Sequence, residues 1–102
     1  MKAAVKEKIT FSKYDLAEFL ETKEDIIACL EVALAEPDTK FLFKTLGALA
    51  RSKGMAKIAR ELGVTREGLY KSLSPNGHPS FETIINLLDL LGIRVRLELK
   101  SA

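Results

Sequence analysis

The sequence predicts an all-α domain of five or six helices that contains a helix-turn-helix and ends in a β-strand, and three observations carry this. From residue 22 to residue 91 the apolar residues recur at helical spacing. Within that stretch, Ala59 and Gly63 fall at the offsets where two short helices meet across a tight turn. After Gly92 the apolar period changes from about 3.6 residues to 2, the signature of a strand with one buried face. A length of 102 residues, 47% of them apolar and 29% charged, fits one folded domain rather than a disordered or multidomain chain.

The elements follow in order. Residues 1–13 are rich in lysine with scattered apolar residues, and predict a mobile terminus that becomes ordered near Ile9. Asp15 is placed to cap a short turn over 16–20. Thr22 is an N-cap, and Glu24 and Asp25 follow in the first turn, where the helix dipole favours negative charge. Ile26, Leu30 and Ala33 then fall at i, i+4 and i+7, with Ile27 and Leu34 beside them, so an amphipathic helix is expected over about 23–35. Pro37 stops it. Asp38 or Thr39 caps the next helix, whose apolar set is Phe41, Leu42, Leu46, Leu49 and Ala50, with Thr45 in register, and Gly54 ends it. Gly47 inside that pattern costs about 1 kcal/mol against alanine, and a close helix crossing is the expected reason.

A short helix over 55–62 turns Ile58, Ala59 and Leu62 inward and ends at Gly63. Thr65 starts another, with Leu69 and Leu73 inward. Ser74, Pro75, Asn76, Gly77, His78 and Pro79 are dense in turn formers. Ser80 caps a helix over 81–91 with Phe81, Ile84, Ile85, Leu88 and Leu91 on one face, and Gly92 is its C′ residue. Ile93, Val95, Leu97 and Leu99 then alternate with Arg94, Arg96, Glu98 and Lys100, which predicts a half-buried strand.

Composition excludes several classes of function. One cysteine and one histidine leave no disulfide, no cysteine zinc cage and no paired histidine ligands. No Ser/His/Asp set and no phosphate-cradling glycine loop is present, so neither an enzyme, a cofactor nor a metal site is expected. No apolar run approaches the ~20 residues of a membrane helix, and the lysine-rich start lacks the apolar stretch of a secretory signal, which points to the cytoplasm. Cys29 reads as a buried thiol, and His78 as a solvated turn residue or a phosphate contact.

The formal net charge of +2 conceals a division. Residues 1–38 hold 5 basic and 9 acidic residues; residues 39–102 hold 11 and 5. The chain therefore divides into an acidic segment over 1–38, a basic helix-turn-helix domain over 39–92 and a candidate dimerisation strand over 93–102. In the acidic segment, Glu18, Glu21, Glu24 and Asp25 form either a solvated face or a docking face for a basic partner, with Glu21, Glu24 and Asp25 as the partner-binding candidates.

In the basic domain, Ala59 supplies the small residue at the helix contact, Gly63 the turn, and Val64 a plug beneath it. Thr65 caps the second helix, whose N-terminus can then face a phosphate. Residues 44–71 contain seven basic and two acidic residues, a net +5 suited to the DNA backbone. The DNA-binding candidates are Lys57, Thr65, Arg66, Glu67, Tyr70 and Lys71. Arg66 or Lys71 can read guanine and Glu67 cytosine, whereas Lys57 and Arg60 suit the backbone. Tyr70 can either touch a base or phosphate or pack against a neighbouring helix.

The stretch from Ala48 to Thr83, and above all the run Arg66-Glu67-Gly68-Leu69-Tyr70-Lys71 and the loop Ser74-Pro75-Asn76-Gly77-His78-Pro79-Ser80-Phe81, resembles the addiction-module antidote family, the HigA-like antitoxins with a Cro-type helix-turn-helix. Tyr14-Asp15, residues 25–30 and Pro37-Asp38 are similar as well, so the resemblance covers about residues 10–95. It implies a lambda-repressor-like domain, an operator bound as a dimer, and a RelE-like ribonuclease toxin bound and silenced. It also places Thr65, Arg66, Glu67, Tyr70 and Lys71 on the recognition helix. There are three departures from the pattern: Met55 replaces a common glutamine, Ala56-Lys57 a Ser-Gln pair, and His78 an asparagine.

A lone strand leaves its backbone groups unpaired. Lys8 to Phe11 is the one other stretch with strand character, so pairing with the same strand of a second subunit is expected, giving a homodimer. Such a dimer would set two recognition helices about 34 Å apart, one turn of DNA. The alternatives to an antitoxin are a phage-type repressor without a toxin partner and a protein-interaction module that never touches DNA.

Overall fold

The computed structural model describes residues 22–101. Among these the chain forms five helices: α1 (Lys23–Ala35), α2 (Lys40–Lys53), α3 (Met55–Leu62), α4 (Arg66–Ser72) and α5 (Phe81–Leu90). Helix α1 packs on α2, while α3 packs against α2, α4 and α5. The short α3 is thus the centre of the fold.

Local sequence accounts for each boundary. The Thr22 hydroxyl accepts the Asp25 amide at 3.0 Å and caps α1. At α2 the capping is displaced by one position: Thr39 makes no side-chain cap, and the Asp38 carboxylate accepts the Lys40 amide at 2.9 Å. The Ser80 hydroxyl accepts the Thr83 amide at 3.0 Å and caps α5. At the far end of α5, Gly92 has φ +77°, its amide donates to the Asp89 carbonyl, and the Ile93 amide reaches back to Leu88 at 2.9 Å. These two bonds satisfy carbonyls the helix leaves open.

The core gathers Cys29 and Leu30 from α1, Leu46, Ala48, Leu49 and Ala50 from α2, Met55, Ile58 and Ala59 from α3, Leu69 and Leu73 from α4 and its end, and Leu87 from α5. Thr45 is its one buried polar residue among the described residues, and its hydroxyl donates to the Phe41 carbonyl at 2.8 Å. No buried side-chain polar atom is left without a partner among them. Burial pushes the Cys29 thiol up to about 11, with the Asp25 carboxylate adding to the shift. Cys29 is therefore a protonated core thiol near neutral pH, not a nucleophile.

Four expectations need correction. Residues 93–100 form no strand: they carry no regular structure, and Leu97 and Leu99 are 95% and 98% exposed. A strand requires a neighbouring edge, and the described residues of one chain offer none. Val64 does not plug the turn, since its side chain is 43% exposed while its amide donates inward to Ala59. Phe81 stands outside the apolar face of α5, exposed at the helix start. Gly47 lies against Leu73 with ordinary van der Waals room for a methyl group, so the crossing does not demand glycine. The short turn over 16–20, the terminus over 1–13 and the stretch from Lys8 to Phe11 lie outside the described residues.

Candidate nucleic-acid interface

Helices α3 and α4 are joined by residues 63–65, which close the first helix and open the second. Gly63 has φ +75°, a left-handed conformation that side chains rarely adopt. Its amide donates to the Arg60 carbonyl at 3.2 Å, and the Val64 amide donates to the Ala59 carbonyl at 3.0 Å, closing α3. Thr65 then turns extended (ψ 154°), and its hydroxyl accepts the Gly68 amide at 2.9 Å, opening α4. A Cβ on Gly68 would crowd that hydroxyl, so glycine and cap belong together.

The faces of α4 separate cleanly. Leu69 and Leu73 are 1% and 5% exposed and hold the helix to the core. Arg66, Glu67, Tyr70 and Lys71 are exposed, and their spacing (i, i+1, i+4, i+5) puts them in one stripe. Lys57 and Arg60 are exposed on α3. Every DNA-binding candidate described above therefore reaches solvent, whereas Ile58, Ala59 and Leu69 between them are buried. Met55, the departure at the first position of α3, is 6% exposed. That position faces the core, which explains why an apolar residue serves there.

Tyr70 is half out at 44% exposure, and it borders a cleft of about 240 Å³ with Lys44, Gly47, Arg51 and Leu73. The ring thus borders the basic edge of α2 while part of it stays open to solvent. Lys44 and Arg51 are the residues that reading α4 alone misses. They sit seven residues apart, two turns along one side of α2, with Gly47 between them and the Arg51 guanidinium over it. Their spacing on the helix was the available signal.

The loop after α4 is tied to it. Gly77 is buried, and its amide donates to the Ser74 carbonyl at 2.9 Å. A Cβ on Gly77 would clash with the Lys71 and Ser72 carbonyls, so no side chain fits there. His78 is exposed beyond it.

On the opposite part of the chain, Glu24 is exposed and Asp25 half-buried at the start of α1, while Glu21 lies outside the described residues. No group of His, Cys, Asp or Glu side chains that could hold a metal occurs among the described residues. No described helix is long and apolar enough to cross a membrane.

The comparisons with known proteins agree with the antidote family read from the residues. An uncharacterized protein of Haemophilus influenzae (strain Rd) is 36% identical over 85 residues, which span 83% of this chain and 88% of that protein. No solved structure matches the chain. The sequence pattern of the family described as "Probable addiction module antidote protein" matches residues 10–99, nearly the whole chain, and the chain belongs to that family.

Proposed function

We propose that this chain is the DNA-binding antitoxin of a type II toxin–antitoxin module, that it represses its own operator as a cytoplasmic homodimer, and that it neutralises a RelE-like ribonuclease toxin. The observation that carries the DNA-binding half is the α4 stripe. Arg66, Glu67, Tyr70 and Lys71 stand exposed on a helix whose other face is sealed into the core. The surrounding unit from Lys44 to Lys71 has seven basic residues against two acidic ones. On this reading α3–α4 is a helix-turn-helix, α4 enters the major groove, and Lys57 and Arg60 meet the backbone. Membership of an antidote family supports the antitoxin half. A ribonuclease must be basic to hold RNA, and the carboxylates Glu24 and Asp25 of α1, with Glu21 before them, are its complementary docking face.

Fluorescence anisotropy on duplex DNA from the chain's own promoter tests the first half. Arg66→Ala and Lys71→Ala each lose about 1–3 kcal/mol of operator affinity while the far-UV spectrum stays helical. Affinity falls linearly on a log–log plot against salt, and a lost phosphate contact reduces that slope by about 1. Unaltered binding by both variants removes the assignment.

The second half is tested by reversing Glu21, Glu24 and Asp25 to lysine and measuring affinity for the basic protein encoded beside it. Weaker toxin binding with operator binding retained is expected. Unchanged toxin affinity eliminates the acidic docking face.

A further inference from the structure

We propose that residues 93–100 of two copies pair as an antiparallel ribbon in a single register, with Arg96 opposite Arg96 on the two-fold axis, so that each copy's Leu97 and Leu99 close an apolar groove on the other. This rests on the homodimer reading above and specifies how the pair is built.

The groove has a volume of about 370 Å³ and is walled by Ile27, Glu31 and Leu34 of α1, Leu42 of α2 and Ile84 of α5, with the consecutive residues Ile93, Arg94, Val95 and Arg96 of the terminal segment completing its lining. Its walls are poorly covered: Ile27 is 46% exposed, Leu34 69% and Val95 51%. Just beyond these residues, Leu97 and Leu99 are 95% and 98% exposed. In the extended conformation that a ribbon imposes, alternate residues share a side, so these two leucines would continue the side of Ile93 and Val95 there. One molecule therefore holds both an open apolar groove and an apolar strip that no other described part of the chain covers. A second copy supplies the complement of each.

The residues of the segment also select the register. In an antiparallel two-fold ribbon, residues directly opposite each other share a face, and the residue on the axis faces itself. An axis at Val95 sets Arg94 against Arg96 twice. An axis at Glu98 sets Glu98 against itself and Arg96 against Lys100. An axis at Leu97 joins Arg96 to Glu98 but sets Arg94 against Lys100 and leaves Ile93 opposite Ser101. An axis at Arg96 pairs Ile93 with Leu99, Val95 with Leu97 and Arg94 with Glu98, each twice.

Of the four registers, only this last one gives every apolar residue of the segment an apolar partner. It also lays the second copy's Leu97 and Leu99 beside Val95 and Ile93, at the groove's edge. Its single like-charge contact is Arg96 with itself; Arg96 is exposed, and two long side chains can diverge into water.

The test uses the full chain. Light scattering at micromolar concentration gives the mass of a dimer, and the double variant Leu97→Asp/Leu99→Asp gives the mass of one chain with its helical spectrum intact. Single cysteines are then placed at Val95, Arg96 and Leu97; Cys29, fully buried, stays silent. Directly opposed residues bring their Cα atoms to about 4.5–5.5 Å, within disulfide reach. On mild oxidation Arg96→Cys therefore forms a covalent dimer fastest of the three.

Faster crosslinking through Leu97→Cys or Val95→Cys overturns the register and leaves the homodimer standing. A dimer that survives Leu97→Asp/Leu99→Asp overturns the ribbon while the homodimer again stands. A wild-type monomer overturns both.

Discussion

In α3 and α4, the apolar residues Ile58, Ala59 and Leu69 are 3%, 2% and 1% exposed; in the segment after Gly92, Val95, Leu97 and Leu99 are 51%, 95% and 98% exposed. Both regions intersperse apolar residues with arginine, lysine and glutamate. The difference lies in what each backbone needs. A helix bonds its own N–H and C=O groups, so α4 requires only a surface on which to lay Leu69 and Leu73. An extended segment cannot bond to itself, and it requires another chain edge before its apolar side has any place to go. The helix pair is complete within one chain. The terminal segment, on the proposed ribbon, is completed by a second copy.

The sharpest way to break this contrast is to remove an anchor of the complete region. Leu69→Ala takes a fully buried side chain from the underside of α4 and is expected to destabilise the chain by about 2–5 kcal/mol. Urea unfolding followed by far-UV circular dichroism measures it. Because Leu69 sets the orientation of the stripe, operator affinity falls with it. A loss well below 1 kcal/mol would show that α4 does not depend on the core for its position.

A smaller effect is expected at the start of the same helix. Thr65→Ala deletes the acceptor of the Gly68 amide and is expected to cost about 1 kcal/mol. Arg66 and Glu67 occupy the turn that loosens, so binding to DNA weakens somewhat more than stability does. Thr65→Ser restores the acceptor and should restore both. If serine fails to rescue, the methyl group rather than the hydroxyl holds the turn.

The same contrast explains what the sequence could tell. Helix ends were legible because their signals are local: Thr22, Thr65 and Ser80 bond amides three residues away, and Gly63 and Gly92 take the positive φ that few other residues accept. The α4 stripe was legible because a helical period fixes which side each residue takes. Val64 and Phe81 were misjudged because periodicity does not say where an element stops being covered by its neighbours. Gly77 read as a generic turn residue, and only the fold reveals the Lys71 and Ser72 carbonyls closed around it. The alternation over 93–100 predicted a half-buried strand that the described residues do not form, because pattern alone carries no information on whether an edge is available in the same chain.

The smallest expected effect is the most discriminating. Leu99→Ser changes a side chain that is 98% exposed in the single chain. At concentrations dilute enough to separate copies, its unfolding free energy should stay within about 0.5 kcal/mol of wild type, as for other surface substitutions. At higher concentrations the two proteins should diverge. A chain stabilised by association gains stability with concentration, so the wild-type midpoint climbs while that of the variant climbs less or not at all. Parallel curves for the two proteins would mean that Leu99 meets no partner at any concentration. The exposed strip would then be an ordinary piece of surface, and the contrast between a closed helix pair and an open terminal segment would lose its functional meaning.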